Sequence, residues 1–187
     1  MNRGTLHAFL AAFLSTALLL AGCKGRPHDP ANLTAIDSML VQVDSLARVV
    51  GAMDAASYDR MDSVFSGQKA HLETLLKDTL DRSLALALGN YHRAMSRSLA
   101  RVRSERPGVL NELAQTRGKL MDLRHDVAGG LLPEGPERTY VDQERLYLAG
   151  LHQRTTVLLS SAGTVHRNWD EHHARVDSVL ATTPPLP

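Results

Sequence analysis

Apolar residues return along this chain at steps of three and four, the spacing that gathers side chains onto one face of an α-helix. A first stripe runs through Ile36, Met39 and Leu40, Val43, Ala47, Val50, Tyr58, Met61, Phe65, Leu72, Leu75 and Leu76. It keeps its phase across Gly51 and Gly67, which predicts one long helix over about 33–77 with those glycines as its weak points. Asn32 stands where a side-chain oxygen can cap the first turn. Asp54 and Gln68 fall on the stripe itself and read as hydrogen-bonded or partly solvated positions. A second stripe runs Leu84, Leu88, Tyr91, Met95, Leu99, Val102, Val109, Leu113, Leu120, Leu123 and Val127. Before it, Asp78-Thr79-Leu80-Asp81 carries turn and capping chemistry. Pro107-Gly108 interrupts this stripe, yet it resumes in phase, so the spacing predicts a helix over 80–128 that is kinked or broken at Pro107.

A third stripe is the most regular: Leu148, Leu151, Thr155, Leu158, Ala162, Val165, Trp169, His172, Val176 and Val179. Its alternating steps have coiled-coil spacing and predict a helix over 138–181. Gly129-Gly130, Pro133, Gly135 and Pro136 separate it from the second, and Thr182-Thr183-Pro184-Pro185 ends it. Each stripe of about 45 residues corresponds to a rod of roughly 68 Å at 1.5 Å per residue. Similar lengths and short reversals predict an all-α fold: an elongated, antiparallel up-down-up three-helix bundle over 33–182, with a tail at 183–187.

The chain opens differently. Met1–His7 holds Arg3 and no acid, and Ala8–Leu20 is apolar apart from Ser15 and Thr16. About 13 residues at 1.5 Å give roughly 20 Å, short of the ~30 Å hydrocarbon core, so this is the h-region of a signal peptide rather than a permanent span. It ends in Leu20-Ala21-Gly22-Cys23, which resembles a bacterial lipobox. The resemblance implies cleavage between Gly22 and Cys23, removal of residues 1–22, and acylation of the Cys23 thiolate, the nucleophile of the pair. Two or more acyl chains anchor stably where one binds marginally. Lys24 follows, and the lack of Asp there resembles the outer-membrane address of Gram-negative lipoproteins. Residues 24–32, with Gly25, Pro27 and Pro30, complete a lipidated tether over 23–32.

Composition narrows the rest. Aromatic residues are 4% of the chain, which argues against sheet, and Cys23 is the single cysteine, which excludes an internal disulfide. Arg3 is the one charged residue among the first 22; of the 21 basic side chains, 20 therefore remain to face 20 acids. A balanced chain of this kind gives no reason to expect nucleic acid as a partner.

Candidate chemistry concentrates on the last helix. His166, Asp170 and His173 are the residues through which a metal would be held, but Asp170 lies off the apolar seam, as do Asp122 and His125 on the middle helix. No metal or other cofactor is expected. His172 occupies a seam position and reads either as a partly buried histidine paired across the bundle or as a pH-responsive contact. Arg93, Arg97, Arg101, Arg103 and Arg106 make the middle helix basic. If the first reversal is centred near 78–79, Asp59 and Asp62 meet Arg97 and Arg93 as interhelical pairs. There is no G-x-S-x-G elbow and no phosphate loop after a strand, so no catalytic residue is named and an enzyme is not expected.

Asp78–Tyr91 (DTLDRSLALALGNY), Leu120–Leu132 (LMDLRHDVAGGLL), Tyr140–Glu144 (YVDQE) and Arg175–Leu180 (RVDSVL) are similar to segments of small uncharacterised helical lipoproteins of Gram-negative bacteria. That resemblance implies a helical domain on a lipid anchor and carries no activity. The expected function is a membrane-anchored envelope lipoprotein with a structural or protein-interaction role. It is held in the bilayer through acylated Cys23, in the outer membrane facing the periplasm, and contacts an envelope protein. The alternative is a periplasmic ligand- or metal-sensing protein that uses the histidine-rich last helix.

Overall fold

A computed structural model describes residues 29–133 and 135–183. The expected signal segment, the expected Gly22–Cys23 cleavage site and most of the expected tether lie outside them. The described residues form α1 (Pro30–Gly51), α2 (Ala55–Leu75), α3 (Arg82–Arg93), α4 (Ala100–Ala128) and α5 (Pro136–Thr182), with no strand among them. A π-helical turn, Ala94–Leu99, joins α3 to α4 without a gap.

The ends of these helices follow from short polar side chains and glycine. Asp29, not Asn32, caps α1: its carboxylate accepts from the Ala31 amide at 2.9 Å, and Pro30 occupies the first helical position with φ already suited to a helix. The helix therefore begins inside what the sequence suggests as tether. Asn32 lies on the helix and donates instead to Glu137 of α5 at 2.7 Å. Asp81 caps α3, accepting from Ser83 at 2.9 Å and Leu84 at 3.1 Å. At the far end of α4, Gly130 takes a positive φ of 62°, Leu131 donates to the Asp126 carbonyl at 2.9 Å and Gly130 to that of Val127 at 3.1 Å. This is the glycine C-cap in which two bonds satisfy the last carbonyls.

The helix predicted over 33–77 is two helices. Ala52 closes α1 onto the Arg48 carbonyl at 3.0 Å, and Asp54 then turns extended and accepts from the Ser57 amide at 3.1 Å, starting α2. Asp54 thus lies on the stripe as a cap, because its side chain offers the backbone an alternative to continuing the helix. Gly67 leaves α2 uninterrupted. Nor does Pro107 break the second stripe: α4 runs through it, with Pro107 and Gly108 both on the exposed face. The departure from α geometry lies about two to four turns earlier, in the π turn, which adds a residue to a turn of helix.

The three stripes meet in one apolar cluster, from Ile36, Val43 and Phe65 through Leu99, Leu113 and Leu120 to Leu158, Val165 and Val176. Buried hydroxyls within it are answered inside their own helices. Thr116, Thr155 and Ser161 donate to the carbonyls of Glu112, Leu151 and Val157 at 2.8, 2.9 and 2.9 Å.

Charged pairs report how the helices lie against one another. Asp37 meets Arg124 at 2.6 Å and Asp44 meets Arg117 at 2.9 Å, while Asp59 and Asp62 both meet Arg103. Along α1–α2 the numbers rise as those of α4 fall. Glu112 with Arg154, and Ser83 with Arg175, run in the same opposed order between α3–α4 and α5. Asn32 with Glu137, Tyr58 with His166 and Gln68 with Asp177 run in a common order between α1–α2 and α5. The expected partners of Asp59 and Asp62, Arg97 and Arg93, are displaced: the pairing falls on Arg103, because the reversal spans Leu76–Asp81 and the π turn inserts further chain before α4. Arg106 reaches across to the other side of the break, donating to the carbonyls of Val50 at 3.3 Å and Gly51 at 3.4 Å.

The fully buried Tyr91 sits where α2, α3 and α5 converge. Its ring packs edge-on against Phe65 at 6.1 Å and near Trp169 and His173, both at 6.2 Å. The phenol donates to Gln68 Oε1 at 2.9 Å, and Gln68 passes its own Nε2–H to Asp177. Asp177 in turn pairs with His173 Nε2 at 3.2 Å, and His173 stacks on Trp169 with centroids 3.8 Å apart. Burial, and secondarily the Asp177 charge, push the Tyr91 phenol well above its ordinary pKa of 10.0.

Replacing Asp54 by Ala is expected to cost about 1 kcal/mol in urea unfolding, whereas Asp54→Asn, which keeps the cap acceptor, stays near wild type. A second expectation concerns alkaline pH. The folded chain keeps the Tyr91 proton where the unfolded chain has lost it, so this contribution is complete below about pH 10 and declines as pH rises beyond that. The melting temperature should therefore fall as pH rises above about 10, and less steeply in Tyr91→Phe, although that variant starts about 1 kcal/mol lower for want of the bond to Gln68.

Candidate functional site

The residues singled out on the last helix are all on α5, but they do not converge. His166 turns to α2, where its Nε2 lies 3.0 Å from the Tyr58 hydroxyl and the two rings stand 5.2 Å apart. Burial raises the Tyr58 pKa, opposed by Arg106 and reinforced by Asp54. His173, two helical turns further on, belongs to the Tyr91 junction through Asp177 and Trp169; its Nδ1 is buried without a hydrogen-bond partner among the described residues. Asp170 is exposed and shares neither set of contacts. His166, Asp170 and His173 therefore face separate surroundings, and among the described residues no three acidic, histidine or cysteine side chains gather as a metal-ligand group. A second histidine, His92, bridges α3 to α2 through Glu73 at 3.2 Å and packs on Phe65.

His172 does not pair across the apolar seam. Its side chain, 12% exposed, stands 3.9 Å from Glu171 and lines a groove between α5 and the π turn. The groove encloses about 460 Å³, and four arginines border it: Arg93, Arg97 and Arg101 from α3, the π turn and α4, and Arg167 from α5. Glu171 is the one acid on its wall. Asn90, Ser98, Thr164 and Asn168 supply neutral hydrogen-bonding groups beside the guanidiniums.

These arginines are the larger part of the basic face seen on the middle helix. The other two, Arg103 and Arg106, are spent on α2 acids and on the carbonyls at the end of α1. Arg101 is held between Ser161 at 3.4 Å and Glu105 at 3.7 Å. The contribution of α5, which brings Arg167 to the same groove as Arg97, depends on a register that no spacing within one stripe encodes. What the sequence does carry is the step of four from Arg93 to Arg97 to Arg101, which places three guanidiniums on one helical face.

Cys23 and Gly22 lie outside the described residues, so the structure bears on their setting only through α1. The helix begins at Pro30, on the end of the rods where Asn32 meets Glu137. No protein-family model, curated protein or solved structure matches the chain.

Proposed function

We propose that this chain is a bacterial envelope lipoprotein, anchored through acylated Cys23, whose helical domain has a non-enzymatic structural or protein-contacting role. The observation that carries the reading is Leu20-Ala21-Gly22-Cys23 at the end of a 13-residue apolar run, in a chain with no other cysteine. The lipid is the membrane attachment on this reading, since no described helix is long and apolar enough to cross a bilayer. Lys24 after the cysteine favours the outer membrane, with the domain facing the periplasm.

The domain on this proposal is an up-down-up bundle of three rods: α1 with α2, then α3 through α4, then α5. The opposed order of the Asp37–Arg124, Asp44–Arg117 and Glu112–Arg154 pairs, and the common order of Asn32–Glu137 and Tyr58–His166, support it. A 47-residue α5 is about 70 Å long at 1.5 Å per residue, so the rods extend far from the anchored end. A long neutral rod with its apolar stripes turned inward presents charged faces to a partner.

The anchor is tested by Cys23→Ala. Loss of the membrane fraction and of radiolabelled acyl incorporation is the expected result, and a variant that still sediments with membranes overturns the lipoprotein reading. The protein-contacting role is tested by crosslinking in cells followed by purification of the mature chain; a specific stoichiometric adduct that disappears with Cys23→Ala is expected.

A further inference from the structure

Apart from Arg101, which meets Glu105 and Ser161, the groove arginines answer to no pairing among the described residues. Other interhelical arginines end on an acceptor: Arg103 on Asp59 and Asp62, Arg117 on Asp44, Arg124 on Asp37, Arg154 on Glu112 and Arg175 on Ser83. Arg93, Arg97 and Arg167 make no ion pair with any described residue, although they face one concave volume with Arg101. Like charges four apart on a helix repel, and here a third helix face adds Arg167 to the same space. The chain thus maintains a repulsion that a bound anion would remove. The groove is also where the backbone leaves α geometry: Ala94, Arg97 and Ser98 of its wall belong to the π turn, a conformation with poorer hydrogen bonding that recurs at functional sites.

We infer that this groove binds a multiply charged phosphoryl compound through Arg93, Arg97, Arg101 and Arg167. A guanidinium presents a rigid fork of donors that matches the oxygens of a phosphoryl group, and such charge-assisted bonds are about twice as strong as neutral ones. Of the neutral wall groups, Asn90 and Ser98 can donate to a ligand, Asn168 keeps one amide hydrogen beside its bond to the Thr164 carbonyl, and Thr164 spends its hydroxyl on Ser160. A volume of about 460 Å³ lies within the range of small-ligand clefts, and four guanidiniums around it suit a ligand that concentrates its charge. Carboxylates spread along a peptide would meet them one at a time. A free phosphoryl compound and a phospholipid headgroup share this chemistry, and the test separates them.

The full chain, in non-ionic detergent, is titrated with inorganic pyrophosphate by calorimetry. One saturable site is expected, weakened at least about tenfold in Arg97→Gln/Arg167→Gln, whose melting temperature holds or rises slightly because repulsion is relieved. Arg167→Lys, which keeps the charge and loses the fork, should weaken binding severalfold, and this single change guards against a double variant that fails to fold. Arg48→Gln/Arg138→Gln, exposed and outside the groove, should leave the affinity within about twofold. In the lipid arm, the Cys23→Ala chain is floated with phosphatidylcholine vesicles with or without phosphatidate. Binding confined to phosphatidate vesicles and lost in Arg97→Gln/Arg167→Gln supports the site and assigns the phosphoryl group to a headgroup. Absence of saturable binding in both arms overturns the inference, as does equal loss in the Arg48/Arg138 variant. A glutamate-rich peptide that binds the groove more tightly than pyrophosphate also overturns it, in favour of an acidic protein segment.

Discussion

A phenol with no access to water must find a hydrogen-bond partner, and much of the arrangement of the rods follows from how Tyr91 finds one. Its partner, Gln68, comes from α2, and the group that holds Gln68, Asp177, comes from α5. His173 closes the circuit by pairing with Asp177 and stacking on Trp169 above the Tyr91 ring. Sliding α2 against α3 by a turn would leave the buried Tyr91 phenol without its acceptor, at a cost of about 1–3 kcal/mol, while the exposed Gln68–Asp177 bond ties α5 to the same place. Apolar stripes alone tolerate such slips, because leucine against leucine is much the same one turn along. The polar circuit is what makes one register better than its neighbours.

Once that register is set, the positions of the charges follow. Asp59 and Asp62 fall beside Arg103, and Asp44 and Asp37 beside Arg117 and Arg124. These exposed pairs each contribute about 0–1 kcal/mol, so they report the alignment more than they produce it. The same alignment leaves Arg93, Arg97 and Arg167 lining one groove whose wall holds no acid except Glu171. The groove is thus a by-product of the Tyr91 junction in the sense that the junction determines which side chains of α5 stand opposite the π turn.

Much of the helical core was legible in the sequence because burial and helical period coincide. Ile36, Val43, Tyr58, Phe65, Leu88, Leu113, Leu158 and Val165 were read from spacing, and all are buried. The break at 52–54 was not legible, because Val50 and Tyr58 keep the phase of the stripe across it, and Asp54 reads as a hydrogen-bonded or partly solvated position of one continuous helix. Pro107 misled in the opposite direction: proline chemistry predicts a disturbance, but on an exposed face only one backbone bond is at stake. The π turn has no residue signature at all. Of the groove, the three arginines at steps of four were visible, while Arg167 was not, since its place opposite them depends on the length of a reversal and on one inserted residue. The predicted meeting of Asp59 and Asp62 with Arg97 and Arg93 failed for the same reason.

The link from Arg106 to the end of α1 has a mechanical consequence. The interruption at 52–54 would otherwise be the hinge of the first rod, the place where a sideways force would bend it. Arg106 grips the Val50 and Gly51 carbonyls from the uninterrupted helix opposite. A load entering through the N-terminal end of α1 is therefore handed to α4 before it reaches the weak point. The end of α1 is thereby tied to α4 as well as to the segment that leads into α2.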